Sequence, residues 1–221
     1  MIPGQDPMEV LRKRHLLLAL LVLVCGCAAT AFRTTITPID SATAGTTIGR
    51  SWRPECPVPI ADLRLLTVRI WGFDDQPHVG HLVVHQDVAV QVGHVFEMLF
   101  DHRFPIERLE PVADYGGDDV TSMTANNSSA FNCRPVAGRP GVWSQHSYGR
   151  ALDLNPVQNP FVGNGIVSPP NGGEYENRTL NRKGMIHDDD SVVQAFRSIG
   201  WEWGGQWQQV KDYQHFSANG K

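Results

Sequence analysis

The stretch SQHSYGRALDLNP, residues 144–156, constrains the fold of this chain more than any other part of the sequence. Within it, His146 and Asp153 stand seven residues apart with Gly149 between them. A strand over ALDLN would send the two leucines into a core and turn the aspartate toward an open surface. Ser144 and the histidine alternate in extended chain, and the glycine permits the turn that joins the two segments. The pattern therefore predicts that the histidine and the aspartate converge.

A third polar partner is supplied by DYQHFS, residues 212–217, near the C-terminus. Two side chains hold a catalytic metal poorly, whereas three nitrogen or oxygen ligands with one open position are typical of hydrolytic zinc sites. We therefore predict a zinc ion bound by His146, Asp153 and His215. The alternative is an ordinary hydrogen-bonded His–Asp couple without a metal.

Four other histidines form a rival set: His78, His81, His85 and His94. Two of them match the ends of the HxxxH pattern, but the glutamate that a helical zinc-peptidase signature requires is replaced by Leu82. Their apolar, β-branched surroundings favour strand positions with imidazoles facing solvent.

The two C-terminal stretches together resemble a known family, the D-alanyl-D-alanine carboxypeptidase family of zinc peptidases. That family includes VanY- and VanX-type enzymes and the L-alanyl-D-glutamate endopeptidases of phage lysins. The resemblance extends over most of the chain from Cys56 onward. The matching positions are Ser144, His146, Gly149, Ala151 and Asp153, followed by Asp212 and His215.

Several roles follow from this resemblance. It implies a zinc ion on the three ligands, Asp212 as the catalytic base, and peptidoglycan stem peptides as substrates. Carboxypeptidase and dipeptidase members have a glutamate before a Trp-His pair, whereas this chain has Asp-Tyr-Gln-His, closer to the endopeptidases. The cleaved bond therefore stays open between the two types. Since three is an odd offset along a strand, we expect Asp212 on a turn and Tyr213 as the first residue of the strand that carries His215.

Substrate binding calls for a positive group, because a hydrolysed peptide develops negative charge on its carbonyl oxygen. The resemblance favours Arg134, which follows SSAFNC as an arginine follows a similar strand in the family. Arg108 is the alternative for the same role, and ion pairing at the surface is the alternative for either arginine. Ser144 lacks the GxSxG context of a serine nucleophile and is assigned to hydrogen bonding near His146 and the substrate.

The N-terminus has the features of an export signal. A basic cluster at residues 12–14 precedes the apolar run 16–24 and small residues, and the run is too short to span a bilayer. We predict a signal peptide over residues 1–27 and a flexible linker over 28–55, with an early strand at 34–37 as the alternative. Secretion and membrane attachment through a lipid on Cys27 both remain open.

Two cysteines follow the signal, Cys56 and Cys133. An exported chain meets an oxidising compartment, so an even pair predicts a disulfide. Two buried thiols, or Cys133 as a metal ligand, are the alternatives, although no CxxC spacing supports a thiolate site.

The rest of the chain mixes strand and helix patterns. Val192, Phe196 and Ile199 share a helical face that ends at Gly200, and residues 87–102 predict another helix with Asp87 as its N-cap. No regular βαβ alternation is present. The sequence therefore predicts one α+β domain over residues 56–221, with a central, mainly antiparallel sheet flanked by helices and a metal site on the sheet face. The predicted strands cover residues 63–73, 81–85, 106–115, 128–134, 151–155, 201–203 and 213–217.

The formal net charge of −4 argues against a general nucleic-acid binder, because such proteins normally have an excess of basic residues. It also makes electrostatic attraction to anionic membranes or wall polymers a poor main binding force. We expect an exported monomeric zinc peptidase. A non-catalytic wall-binding or signalling module with a structural zinc is the second hypothesis, and a metal-free scaffold is the third.

Overall fold

The computed structural model describes residues 31–136 and 138–220, and residues from Arg33 onward form one compact unit. The predicted signal peptide, residues 1–27, and the lipid site Cys27 lie outside the described residues. Within the described ranges, no helix combines the length and apolar character needed to cross a membrane.

Helices and strands alternate irregularly along the chain. The described α-helices are α1 (Ala44–Thr47), α2 (Ala89–Asp101), α3 (Asp119–Thr124) and α4 (Ser191–Ser198). The described strands are β1 (Thr34–Pro38), β2 (Leu63–Trp71), β3 (Pro77–His85), β4 (Arg108–Leu109), β5 (Asn127–Ser128), β6 (Pro135–Val136), β7 (Arg139–Trp143), β8 (Ala151–Asp153), β9 (Phe161–Gly163), β10 (Ile166–Ser168), β11 (Glu202–Trp203), β12 (Lys211–Asp212) and β13 (His215–Ser217).

The described strands form five small sheets rather than the predicted central one. Three sheets have three antiparallel strands each, in the orders β1-β2-β3, β10-β9-β12 and β11-β13-β8. Strands β6 and β7 form an antiparallel pair, and β4 and β5 a parallel one. The α+β class and the antiparallel character are confirmed, but a single central sheet is not.

The longest pairing joins β2 and β3, where two strands were predicted. Their register runs from Leu63 opposite His85 to Trp71 opposite Pro77. The helix predicted next is α2, but Asp87 is not its N-cap. A short 3₁₀ turn over Gln86–Val88 precedes it, and Val88 occupies the cap position. The tighter turn forms because the His85 side chain accepts a hydrogen bond from the backbone nitrogen of Asp87.

The predicted flexible linker differs from the structure over its described part. Strand β1 pairs with β2 along its whole length, from Thr34 opposite Val68 to Pro38 opposite Arg64. Beyond it, Ile48 is only 2% exposed and packs into an apolar cluster. The alternative of an early strand is therefore correct, because backbone pairing and two buried isoleucines, Ile39 and Ile48, fix a segment whose side chains show little periodicity.

Two other predicted strands are mostly irregular. In the 106–115 segment only β4 is a strand, and Val112–Tyr115 is a 3₁₀ turn. In the 128–134 segment the strand ends at Ser128, yet the following backbone is still bonded: the nitrogen of Phe131 donates to the carbonyl of Val83 on β3. These residues are extended and buried, but they bond to several different segments rather than to one partner strand.

Helix α4 lies where the sequence predicts it and packs behind β13. Phe196 stacks on Phe216 with ring centroids 3.9 Å apart, and both side chains are fully buried. Burying an aromatic side chain of this size contributes roughly 1.5–3 kcal/mol. The strand that carries His215 is therefore held by its next residue, whose side chain enters the core.

The predicted disulfide is present between Cys56 and Cys133, with Cα atoms 5.9 Å apart. The backbone nitrogen of Cys133 also donates to the carbonyl of Ser51. The N-terminal segment is thus tied to the chain that leads into Arg134.

Candidate metal centre

His146 is fixed by a short turn and by its own ring. Ser144 precedes the 3₁₀ turn Gln145–Tyr148 and its hydroxyl accepts a hydrogen bond from the His146 backbone nitrogen at 3.3 Å. The segment is therefore a turn and not the predicted extended chain. The ring Nδ1 lies 2.5 Å from the carbonyl of Ala130. Because a carbonyl only accepts, Nδ1 carries the hydrogen and Nε2 keeps its lone pair.

Gly149 ends that turn in the left-handed region, with φ of 64°. A Cβ at this position would lie 2.5 Å from the backbone nitrogen of His85, and that nitrogen donates to the Gly149 carbonyl. The predicted role of the glycine as the turn between the two motif segments is confirmed, and its close contact with β3 adds a second reason for it.

Asp153 and His215 are cross-strand partners on β8 and β13. His215 Nδ1 lies 3.1 Å from one carboxylate oxygen of Asp153 and 3.2 Å from His146 Nε2. His146 Nε2 is 3.3 Å from the other carboxylate oxygen. All three residues are buried, so the aspartate does not face the open surface that the sequence predicted.

These distances test whether a zinc ion fits. Ligands of a tetrahedral site with metal–nitrogen bonds of about 2.0–2.1 Å lie about 3.3–3.4 Å apart. The two ring nitrogens are 3.2 Å apart, His215 Nδ1 lies 3.1 Å from one oxygen of Asp153, and His146 Nε2 lies 3.3 Å from the other oxygen. Two imidazole nitrogens and one carboxylate are also the donor types that zinc accepts. The residues fit a single small ion with three protein ligands.

The electrostatics of Asp153 suit a cation. Burial by itself would raise the pKa of this carboxyl, but the His146 and His215 rings more than offset it and hold the pKa well below the usual range. The group is therefore an anion inside the protein, and such a charge is stable only when it is paired or binds a metal.

A short extended segment, residues 129–132, holds the site together from behind. Ser129 and Asp153 exchange two backbone hydrogen bonds of 3.0 and 2.8 Å. The Asn132 backbone nitrogen donates to the His146 carbonyl at 3.2 Å, and Ala130 receives the His146 ring as described above. The same segment therefore positions two of the three ligands.

Asp212 lies beside the ligands on a separate strand. It ends β12, and the turn of Tyr213 and Gln214 leads to His215 at the start of β13. A turn precedes His215 as expected, but Asp212, expected on that turn, ends a strand, and Tyr213, expected as the first residue of the next strand, belongs to the turn. A Cβ added to Gly204 would lie 3.0 Å from the Asp212 Cβ and 3.3 Å from the His215 Cβ. The side chains of Asp212 and His215 therefore both begin next to Gly204.

The Asp212 carboxyl is shielded and partly unpaired. Its Oδ1 is buried and has no hydrogen-bond partner among the described residues. Burial raises the pKa of Asp212 to about 6, against a lowering by His215 that is larger than the further raising by the Asp153 charge. A carboxyl with a bare oxygen and a pKa near neutrality has the properties of a general base.

The two predicted arginines have protein partners. Arg134 forms a 2.9 Å ion pair with Asp119, while its buried Nε has no partner among the described residues. The backbone nitrogen of Arg134 donates to the hydroxyl of Ser147, the residue after His146, at 2.9 Å, so the Arg134 backbone lies close to the site. Arg108 is exposed, and its Nε donates to the carbonyl of Ala125. Arg134 therefore forms the ion pair that was given as its alternative role. Its role in substrate binding stays a prediction.

Sequence reasoning missed two features of the site. The Ala130 carbonyl that orients His146 carries no side-chain signal and was not predictable. Trp207 also lies at the site, and its ring centroid is 5.4 Å from that of His215. Its position two residues after the Gly204-Gly205 pair was the available signal.

The buried His–Asp–His donor set beside a shielded carboxyl is a candidate mononuclear metal site, and donor sets of this kind are typical of hydrolytic metalloenzymes. Comparison with known families narrows this class. Residues 137–218 match the family model described as D-alanyl-D-alanine carboxypeptidase. The matched segment contains the three ligands and Asp212, whereas Arg134 lies just before it. No curated protein and no solved structure matches the chain significantly.

Proposed function

We propose that this chain is an exported zinc-dependent peptidase that hydrolyses peptide bonds in the stem peptides of peptidoglycan. The observation that carries the proposal is the buried His–Asp–His set next to the shielded Oδ1 of Asp212. Its two ring nitrogens lie 3.2 Å apart, and each is within 3.3 Å of a carboxylate oxygen of Asp153. The family of residues 137–218 supports peptide hydrolysis, and the disulfide agrees with an oxidising compartment.

The residues divide the work of hydrolysis among themselves. A zinc ion on His146, Asp153 and His215 would supply Lewis acidity and make water more acidic at the site. Asp212 accepts the proton of the attacking water at Oδ1 and returns it to the leaving amine. Arg134 faces the negative charge that develops on the substrate carbonyl or a substrate carboxylate, exchanging its contact with Asp119 for one with the substrate.

Two bond types agree with this site, the D-alanyl-D-alanine bond and the L-alanyl-D-glutamate bond. The family match favours the first, since the family is described by that activity. The residues before His215 favour the second, because Asp212 with Tyr213 and Gln214 departs from the glutamate and tryptophan of the carboxypeptidases.

The test is to incubate zinc-loaded protein, residues 28–221, with purified peptidoglycan and to determine the masses of the released fragments by mass spectrometry. Loss of one terminal alanine identifies the first bond, and separation of the stem after its first residue identifies the second. The control is Asp212→Asn, which keeps a side chain of the same shape but accepts no proton. We expect it to retain zinc and to lose at least about 10²-fold in rate.

Two outcomes would contradict the proposal. Zinc-loaded wild-type protein that releases no fragment would favour the non-catalytic wall-binding module. Asp212→Asn with unchanged turnover would remove the aspartate from the mechanism, even if fragments were released.

A further inference from the structure

The side chain of Trp207 has a donor that the protein does not use. Its Nε1 is buried and has no hydrogen-bond partner among the described residues. The indole nitrogen is a donor only, so it requires an acceptor oxygen or nitrogen. The ring is tilted by 52° against the ring of His215, with centroids 5.4 Å apart. The unused donor therefore belongs to the neighbourhood of the metal ligands.

Other tryptophans of the chain satisfy this group within the protein. The indole nitrogens of Trp52, Trp71 and Trp203 donate to the backbone carbonyls of Val58, Phe100 and Tyr213 at 2.8–2.9 Å. A buried donor without an acceptor has lost its hydration without compensation, and native proteins keep few such donors. Trp207 thus carries a cost that these three tryptophans avoid, which indicates a partner outside the chain.

The direction of Trp207 follows from its neighbours. Gln206 and Gln208, on either side of it, line a cavity of about 640 Å³, and so do Lys211 and Tyr213, on either side of Asp212. Neither Trp207 nor Asp212 lines that cavity. The segment 204–213 is therefore a wall with two faces, and both residues with unused buried atoms lie on the face toward His215.

The two unused atoms have opposite characters. Asp212 Oδ1 is an acceptor and Trp207 Nε1 is a donor, and neither has a partner among the described residues. A peptide presents the complementary pair, because each residue has an N–H donor and a carbonyl acceptor. The wall is thus suited to a peptide backbone rather than to an apolar ligand.

We propose that Trp207 is a substrate-positioning residue whose indole N–H donates a hydrogen bond to a carbonyl or carboxylate oxygen of the bound peptide, next to the bond that is cleaved. This inference rests on the proposed function. The bond forms in the bound state before chemistry begins, so it acts mainly on affinity. Removing it should raise KM about tenfold and leave kcat within about threefold, as expected for uniform binding.

Binding can be measured without turnover in the zinc-loaded Asp212→Asn protein. Calorimetry with a synthetic stem pentapeptide containing both candidate bonds should give a Kd about tenfold weaker when Trp207→Phe is added, a loss of about 1.4 kcal/mol. Phenylalanine keeps an aromatic ring against His215 but has no donor. Trp71→Phe is the matched control, since its N–H serves Phe100 away from the site, and it should leave Kd unchanged.

The resonance of the indole proton gives a readout that packing alone would not move. In ¹⁵N-labelled Asp212→Asn protein, the indole signal of Trp207, assigned through its connectivity to the Trp207 backbone, should shift downfield and exchange more slowly when peptide binds. Equal Kd values with and without Trp207 would overturn the inference, and so would an unmoved resonance if Trp207→Phe does not fold. Absence of any peptide binding by Asp212→Asn itself would contradict the proposed function as well.

Discussion

Asp153 and His215 lie directly opposite each other on β8 and β13, with Oδ1 and Nδ1 3.1 Å apart. The next pair along the two strands is Leu152 opposite Phe216, and both of these side chains are fully buried in the core. A slip of one residue would exchange the two faces of β13 and place the phenylalanine at the metal. Core packing therefore selects the register that joins two metal ligands.

His146→Ala should abolish stoichiometric zinc binding. The substitution removes one of three ligands and leaves Asp153 and His215, which cannot hold the ion in a closed geometry. We expect about one zinc per chain in wild-type protein and well under a tenth of that in the variant, by metal analysis after dialysis. His94→Ala is the control, because His94 is exposed on α2 and paired with Glu97. A full equivalent of zinc in His146→Ala would rule out the assigned ligand set.

Asp212→Asn should stabilise the metal-free protein at neutral pH. The pKa of Asp212 is raised to about 6, mainly by burial, so the folded state keeps a proton that the unfolded state releases near pH 4. As pH rises through this window, the wild-type protein loses stability on the order of 2 kcal/mol. Asparagine does not titrate, so the variant avoids this loss.

The measurement is urea unfolding of both chelator-treated proteins at pH 4 and pH 7.5. At pH 7.5 the free energy of unfolding of the variant should exceed that of wild type by the amount given above. At pH 4 the two values should be almost equal. A difference that is the same at both pH values would show that the carboxyl is not destabilised by burial.

Arg134→Ala should lower kcat by about 10²-fold, comparable to loss of an oxyanion donor, with zinc still bound. Arg108→Ala is the matched control, since Arg108 is exposed and bonded to the Ala125 carbonyl, and it should stay within about threefold of wild type. If Arg108→Ala lost the activity instead, the role would pass to Arg108. Unchanged turnover in both variants would leave Arg134 as the ion-pair partner of Asp119 only.

Replacing both Cys56 and Cys133 by serine should lower the free energy of unfolding. The cysteines are 77 residues apart, and closing a loop of that length contributes at most about 4.5 kcal/mol in the chain-entropy model. Urea unfolding of the double variant and of the oxidised protein measures the difference, which we expect between about 2 and 4.5 kcal/mol. Thiol labelling of unreduced protein is the control, and quantitative labelling of both cysteines would contradict the bridge.

The sequence predicts that two of the three candidate ligands converge because their pattern is local. His146, Gly149 and Asp153 lie within eight residues, and each position is set by its own side chain or by the lack of one. Helix α4 is predictable for the same reason, since its apolar face repeats within two turns.

What the sequence does not predict depends on backbone bonds between distant segments. Ala130 orients His146 through a carbonyl that every residue possesses, and Phe131 joins β3 through a backbone nitrogen. The burial of Asp153 follows from the Ser129 backbone that covers one side of β8. Strand β1 is not predictable from the sequence for a related reason. All five of its residues are exposed, so its sequence shows no alternation of apolar and polar side chains.

The pairing of β1 with β2 also sets how far the enzyme could reach from an anchor. A free linker over residues 28–55 would extend to about 100 Å at about 3.5 Å per residue. Because the folded unit already begins at Arg33, only residues 28–32 lie between it and Cys27, and the full extension from Cys27 to Arg33 is about 20 Å. A lipid on Cys27 would therefore confine the protein to the innermost layer of the wall, whereas a secreted form would sample its whole depth.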